Sequence, residues 1–354
     1  MKASPIRLLI NSITLVSLFG FTAQSHAQPP PRANTFTEIT DSLYRGSNGI
    51  WHSLVYVTDE GILLVDTLNP GYATWLKQEL ATRFPGKEVK YVIYTHSHYD
   101  HAEGGKVFAD TATFIAQARM LQNMDGRYPH MPGDIIDRNN NGMFEPEEFT
   151  IPGDASPGVC GAGFQRARDT NQDGHMTPAE YFAEIVPPDV VYEDRMELTF
   201  GGQQIVLLHP GRNHADDMTV VLFPEQRTLF SADFLADALV RDTMLSLPSA
   251  CGPFDGHSMQ EWIDSYKAVE ALDFSILTTG HGTPLMFSKS DVIETRKYFE
   301  YLQQAVRDAL QQGMNLEQMK ATLTLEPYKG WAQYERLREQ NIEAAYNNLT
   351  EIEE

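Results

Sequence analysis

The sequence predicts a mixed α/β fold whose strands fall into two series, with helices among and after them. Two observations predict it. Short apolar runs of strand length come in two series, one before residue 120 and one after residue 190. Segments with helical spacing lie among and after them, at Ala73–Arg83, Met259–Leu272 and Ser290–Gln312. Two sheets packed face to face with helices outside would bring the loops that follow their strands to one edge, and the chemistry-bearing residues of this chain sit in those loops.

Taken in chain order, Lys2 and Arg7 precede an apolar stretch from Leu8 to Phe21 and the small-x-small site Ser25-His26-Ala27. Residues 1–27 read as a secretory signal peptide, too short for a comfortable membrane span, and residues 28–354 as the mature chain. The Pro29–Pro31 run reads as an exposed leader. The expected location is periplasmic or secreted, with no stable membrane anchor after cleavage. The first strand series is Leu54–Val57, Ile62–Val65, Tyr91–Tyr94 and Thr113–Ile115, with the helix Ala73–Arg83 among them. The second is Val190–Phe200, Gln204–Leu208, Met218–Phe223 and Thr228–Phe230. Residues 290–354 read as a helical C-terminal extension. There Tyr298, Leu302, Val306 and Leu310, and then Leu316, Met319 and Leu323, keep the spacing of a core-facing stripe.

Directly after the apolar run Val89–Tyr94 comes Thr95-His96-Ser97-His98-Tyr99-Asp100-His101. Three imidazoles and a carboxylate on a loop held by a strand end suit a zinc-like ion. They are too many for one side of a single tetrahedral ion, so the spacing points to two. Further candidates each follow an apolar run: His214 within Gly211-Arg212-Asn213-His214-Ala215-Asp216-Asp217, Asp233 after Ser231-Ala232, and His281 within Gly280-His281-Gly282. No Gly-x-Ser-x-Gly elbow is present, so no serine nucleophile is expected.

From about Phe36 to about Ser290, this order of motifs resembles the metallo-β-lactamase-fold superfamily, which implies an αββα sandwich, two sheets packed face to face with helices on their outer sides. The resemblance implies that His96, His98 and His214 hold one divalent ion and that Asp100, His101 and His281 hold a second. Asp233 would bridge the pair, or orient a ligand from behind. Zinc is the expected metal, with iron and manganese left open. An aspartate at position 233 is similar to the glyoxalase II, lactonase and phosphodiesterase branches rather than to true β-lactamases. The implied activity is attack by a metal-bridging hydroxide on an ester, thioester, lactone or phosphoester of a small molecule, with Asp100 orienting the nucleophile or taking its proton. Asp66, in Leu64-Val65-Asp66-Thr67, also fits the family pattern and reads as a supporting carboxylate. Tyr99, Asn213 and His257 are candidates for oxyanion contacts or for wall. Three other functions stay open: a mononuclear iron oxygenase like the persulfide dioxygenases, a β-lactamase, and a non-catalytic calcium-binding protein.

The calcium alternative comes from two twelve-residue segments that match the EF-hand loop. In the first, the ligand positions are Asp137, Asn139, Asn141, Met143 through its carbonyl, Glu145 and Glu148. In the second they are Asp169, Asn171, Asp173, His175 through its carbonyl, Thr177 and Glu180. Gly142 and Gly174 take the turn position, and Phe144 and Met176 the apolar position that lets two loops pair. Pro152-Gly153 cuts off the first exiting helix, whereas Pro178–Val186 offers the second loop one, so a compact, shortened pair is expected. Residues 124–188 thus read as a calcium-binding insertion near the active-site edge.

Cys160 and Cys251 would lie in an oxidising space, as a disulfide or as two thiols. The formal charge of −21 becomes −23 once Lys2 and Arg7 are removed, which disfavours nucleic acid as a substrate. A small-molecule substrate is expected, and partner proteins are left open.

Overall fold

The computed structural model describes residues 33–124, 171–173, 177–236, 245–248, 258–282 and 286–351. Residues 1–27, read as a signal peptide, the whole segment read as the first calcium loop, Asp169, His175, Cys160, Cys251 and His257 lie outside the described residues.

The first sheet has seven strands in sequence order across its width. They are β1 (Asn34–Thr40), β2 (Leu43–Asn48), β3 (Trp51–Val57), β4 (Ile62–Val65), β5 (Val89–Ile93), β6 (Thr113–Gln117) and β7 (Val190–Tyr192). β1 to β4 run antiparallel and β4 to β7 parallel. Parallel neighbours need a crossover. α1 (Pro70–Arg83) supplies the first, and α2 (Tyr99–Ala102) with the 3-10 turn Glu103–Phe108 the second. α1 starts where Asn69 Oδ1 accepts from the Tyr72 amide at 3.0 Å and a proline fills the first turn, three residues before the helical spacing becomes visible in the sequence. After β6 come α3 (Arg119–Met124) and α4 (Pro178–Tyr181).

The second sheet has five strands: β8 (Arg195–Phe200), β9 (Gln203–Leu208), β10 (Val220–Phe223), β11 (Thr228–Ser231) and β12 (Ile276–Thr279). Their spatial order is β12-β11-β10-β9-β8, antiparallel except for β11 and β12. α5 (Asp233–Ala236), α6 (Met259–Glu270), α7 (Lys289–Gln311), α8 (Leu316–Thr322) and α9 (Tyr334–Glu351) complete the described helices.

Strand alternation explains the layers. Leu54, Tyr56, Leu63 and Val65 of the first sheet face Leu207, Val221, Phe223 and Phe230 of the second in one buried cluster. Their neighbours Val55, Ile62 and Leu64 point the other way, onto Tyr72, Ala73, Leu76 and Leu80 of α1. Val206, Val220 and Leu222 likewise face outward, into a third cluster with Trp262 of α6, Phe299 and Leu302 of α7 and Ile342 of α9. The C-terminal helices therefore share the core of the second sheet and form its outer layer.

Two expectations change. The run Val190–Phe200 is two strands, because Glu193-Asp194 turns the chain between them; β7 joins the first sheet and β8 the second. β1 and β2 were invisible as apolar runs, since β2 carries Arg45, Gly46 and Ser47. At the end of the insertion, Tyr181, Phe182 and Ile185 are buried against the α1 side of the first sheet. Among the described residues, no helix is long and apolar enough to cross a membrane.

Phe299 is 1% exposed and stacks near Trp262 and Tyr266, with ring centroids 6.1 and 5.3 Å away. Phe299→Ala should lower unfolding free energy by about 3–5 kcal/mol in denaturant titrations. A change below about 1 kcal/mol would contradict a C-terminal layer built into the core.

Candidate metal centre

The strand ends at one edge of the sandwich deliver every predicted transition-metal residue within the described structure. The loop after β5 brings His96, His98, Asp100 and His101; the loop after β9 brings His214; the ends of β11 and β12 bring Asp233 and His281. Their donor atoms fall into two sets. His96, His98, His214 and Asp233 form one, and Asp100, His101 and His281 the other, each with donor atoms within 4.8 Å of one another.

Asp233 stands between them. Its Oδ2 lies 2.9 Å from His214 Nε2 and 3.4 Å from His96 Nε2. Its Oδ1 lies 2.9 Å from His281 Nε2 and 3.2 Å from His101 Nε2. Each carboxylate oxygen thus addresses a different set. Asp100 Oδ2 completes the second set, 3.3 Å from His281 Nε2 and 3.8 Å from His101 Nε2.

Asp66 has the supporting role read from the sequence. The Thr95 amide and hydroxyl donate to its two oxygens, each at 2.8 Å. His101 Nδ1 is 2.8 Å from Asp66 Oδ2. A carboxylate only accepts, so Nδ1 donates and Nε2 is the nitrogen turned into the site. Gly280 is required beside it. A Cβ there would sit 2.9 Å from His101 Cε1 and 3.1 Å from the Ala232 backbone.

Burial and neighbouring charge act differently on the members of the cluster. Burial, together with the His101 charge, pushes the His96 imidazole down to about 4, and burial and His96 hold His98 well below its ordinary value. Those rings are neutral and offer lone pairs. Burial opposes charge on His281 too, but the Asp233 and Asp100 carboxylates outweigh it and push the ring up to about 10. His101 is raised in the same way, against burial, by Asp233, Asp100 and Asp66. Burial raises Asp100 and Asp233, yet the surrounding imidazoles win and leave both below the usual carboxylate range.

Several contacts fit a bound ion better than a hydrogen-bonded cluster. His101 Nε2 and His281 Nε2 are 3.0 Å apart, and His214 Nε2 and His98 Nδ1 are 3.1 Å apart. His96 Nε2 is buried and makes no hydrogen bond among the described residues. Converging nitrogens and an unbonded imidazole nitrogen suit soft-to-borderline divalent metals.

The other candidates resolve differently. Tyr99 packs edge-on to Tyr181 from the insertion, 6.5 Å between centroids, as wall. The Asn213 amide donates to the Gly211 carbonyl at 3.0 Å and ties its loop. Of the residues read from the sequence as calcium ligands, Asn171 Oδ1 accepts from the Asp173 amide at 2.8 Å, while Glu180 accepts from the Thr177 amide and hydroxyl at 3.0 and 2.9 Å. Glu180 is thus turned back onto its own helix start.

Sequence reasoning missed Trp51, whose indole N–H donates to Asp100 Oδ2 at 3.0 Å. It also gave no role to the buried pair Asp216 and Asp217. Asn123 of α3 donates to Asp216 at 3.0 Å and to the Ser97 hydroxyl at 3.3 Å, bracing the loop between His96 and His98. Burial and the adjacent Asp216 push Asp217 up to about 8. The signal available was the acidic pair in His214-Ala215-Asp216-Asp217, directly before a strand.

The profile of the metallo-beta-lactamase superfamily matches residues 49–281. The chain belongs to that superfamily. It is 23% identical over 253 residues to the alpha subunit of 2,4-dinitroanisole O-demethylase from Nocardioides sp. (strain JS1661), covering 71% of this chain and 56% of that protein. It is 22% identical over 296 residues to the linear primary-alkylsulfatase of Pseudomonas sp. (strain ATCC 19151), covering 78% of this chain and 51% of that one. The solved stereoselective inverting sec-alkylsulfatase from Pseudomonas sp. superposes with a TM-score of 0.60 at 14% identity, over 90% of this chain and 50% of that chain, a likeness of fold alone. The chain spans about half the length of the curated relatives it matches.

In the metal-free protein, His281 at about 10 against an ordinary 6.5 contributes stability that is full below pH 6.5 and is lost as pH rises towards 10. The thermal midpoint of chelated protein should therefore fall across that window, and His281→Gln should flatten the fall. Parallel slopes in wild type and variant would contradict this electrostatic account.

Proposed function

We propose that this chain is a dinuclear metal-dependent hydrolase, zinc the expected metal, that cleaves an ester-type bond in a small molecule. The observation that carries the reading is the Asp233 carboxylate, with one oxygen toward each of two donor sets. His96, His98 and His214 would hold one ion, Asp100, His101 and His281 the other, and Asp233 would join them. Bound there, the ions would lower the pKa of water to roughly 7 and polarise the oxygen of the bond under attack.

The chain's own residues supply the rest. Asp100 Oδ2 is engaged by Trp51 and faces His281, and this carboxylate would orient the attacking water or take its proton. Asp66 keeps His101 Nε2 aimed inward throughout. Tyr99, next to Asp100 in the ligand loop, packs edge-on against Tyr181. The ester classes named from the sequence, thioesters, lactones and phosphoesters among them, remain the screen. The alkylsulfatase relative puts sulfate esters at its head, and the O-demethylase relative adds aryl ethers.

Two further parts of the reading rest on sequence motifs. Residues 1–27 would direct export to the periplasm or beyond. Residues 124–188 would bind calcium through Asp137–Glu148 and Asp169–Glu180, with Glu180 leaving its helix-start contacts to reach the ion. Tyr181 against Tyr99 would then couple that segment to the site.

Dialysis against a chelator should abolish hydrolysis, and zinc should restore it. Asp100→Asn should lower kcat by about 10²–10⁴-fold. Elemental analysis of chain purified from the periplasm, without added metal, should find two transition-metal ions and calcium. Chelator-resistant activity would end the metal reading, and a preparation free of calcium would end the calcium one.

A further inference from the structure

Three segments far apart in sequence meet at the start of β3. Trp51 forms an antiparallel bridge with His281, its ring centroid 6.0 Å from that imidazole. The His52 amide donates to the Gly280 carbonyl at 2.8 Å, and the Gly282 amide donates to the Ile50 carbonyl at 3.1 Å. The Gly280-His281-Gly282 turn is therefore held as a short extra strand beside β3.

The side chains reinforce this grip. His52 is 2% exposed, and its Nε2 lies 2.5 Å from the Gly282 carbonyl while Nδ1 lies 2.8 Å from Ser47 Oγ. A carbonyl only accepts, so Nε2–H donates to it and Nδ1 accepts from the Ser47 hydroxyl. Burial, together with the Arg45 charge, pushes His52 down to about 4, in keeping with that neutral tautomer. Beside it, the Trp51 indole fixes Asp100. The other half of the centre leans elsewhere. His96 Nδ1 meets the Thr95 hydroxyl at 3.0 Å, His98 meets His214, and Asn123 braces Ser97 from α3.

We infer that Trp51 and His52 are positioning residues for one half of the centre, Asp100 with His101 and His281, and that they act selectively on the affinity of the ion bound there. Trp51 would do so through Asp100, and His52 through the Gly282 carbonyl and the His281 turn. This rests on the dinuclear reading. Partners that orient metal ligands from behind typically change metal affinity by about 10–100-fold when removed.

The test is zinc titration of the chelator-treated full chain, followed by isothermal calorimetry and by zinc counting at fixed free zinc. Trp51→Phe keeps the ring and deletes the donor. His52→Gln keeps polar atoms in the buried position. Tyr56→Phe, which removes a bond to Gln203 at 2.7 Å towards the far end of β3, is the control. Wild type and control should bind two zinc ions. Trp51→Phe and His52→Gln should weaken one ion by about 10–100-fold and leave the other within about twofold. If His52→Gln fails to fold, Trp51→Phe alone decides. Two ions unchanged in the variants, or both weakened equally as general loosening would give, overturns the inference and leaves the dinuclear reading intact. A wild type that binds a single zinc overturns both.

Discussion

Asp233 is a carboxylate 6% exposed with four imidazole nitrogens between 2.9 and 3.4 Å of its oxygens. Placing that much ionisable chemistry in a dry pocket costs several kcal/mol per ion unless charges are matched and groups are bonded. The chain matches them unevenly. His96 and His98 are driven neutral, while His101 and His281 are driven towards the charged form by the carboxylates facing them. Protons serve this purpose in the metal-free state. Under the proposed reading, divalent ions would take their place and use both the neutral lone pairs and the carboxylates. The two sheets, with their strand-end loops gathered at one edge, hold these groups at fixed distances.

That arrangement was legible in the sequence to the extent that it is local. His96, His98, Asp100 and His101 share one loop, and His214, Asp233 and His281 each follow an apolar strand, so short-range pattern finds them all. Asp66 was legible for the same reason, at the end of the run Ile62–Val65. Trp51 and His52 were not. Their roles come from pairing with residues 49 and 230 positions away, and no local period encodes that. β1 and β2 escaped because pairing within the sheet, rather than continuous apolar character, makes them strands. Val190–Phe200 misled for the opposite reason: two β-rich pieces on either side of Glu193-Asp194 look like one when the sheets they join are unknown.

The fold also separates support for the two donor sets. β3 and the turn after β12 serve His281 and Asp100, whereas α3 and the buried Asp216 serve the His96–His98 loop. Asp66 ties the sets together, since it receives both Thr95 and His101. Under the proposed reading, a centre supported this way would allow the affinity of one ion to be tuned without the other. The matched segments cover 56% and 51% of the two curated relatives, and the activities of those proteins belong to them. What this chain has in common with the family is the platform.

The central claim is that one carboxylate joins two ions. Crystals grown with zinc and measured at the zinc absorption edge would test it most directly. The account predicts two anomalous peaks about 3.5–4 Å apart, one beside Asp233 Oδ2 and one beside Oδ1. A single peak, or a second peak away from Asp100, His101 and His281, would contradict it.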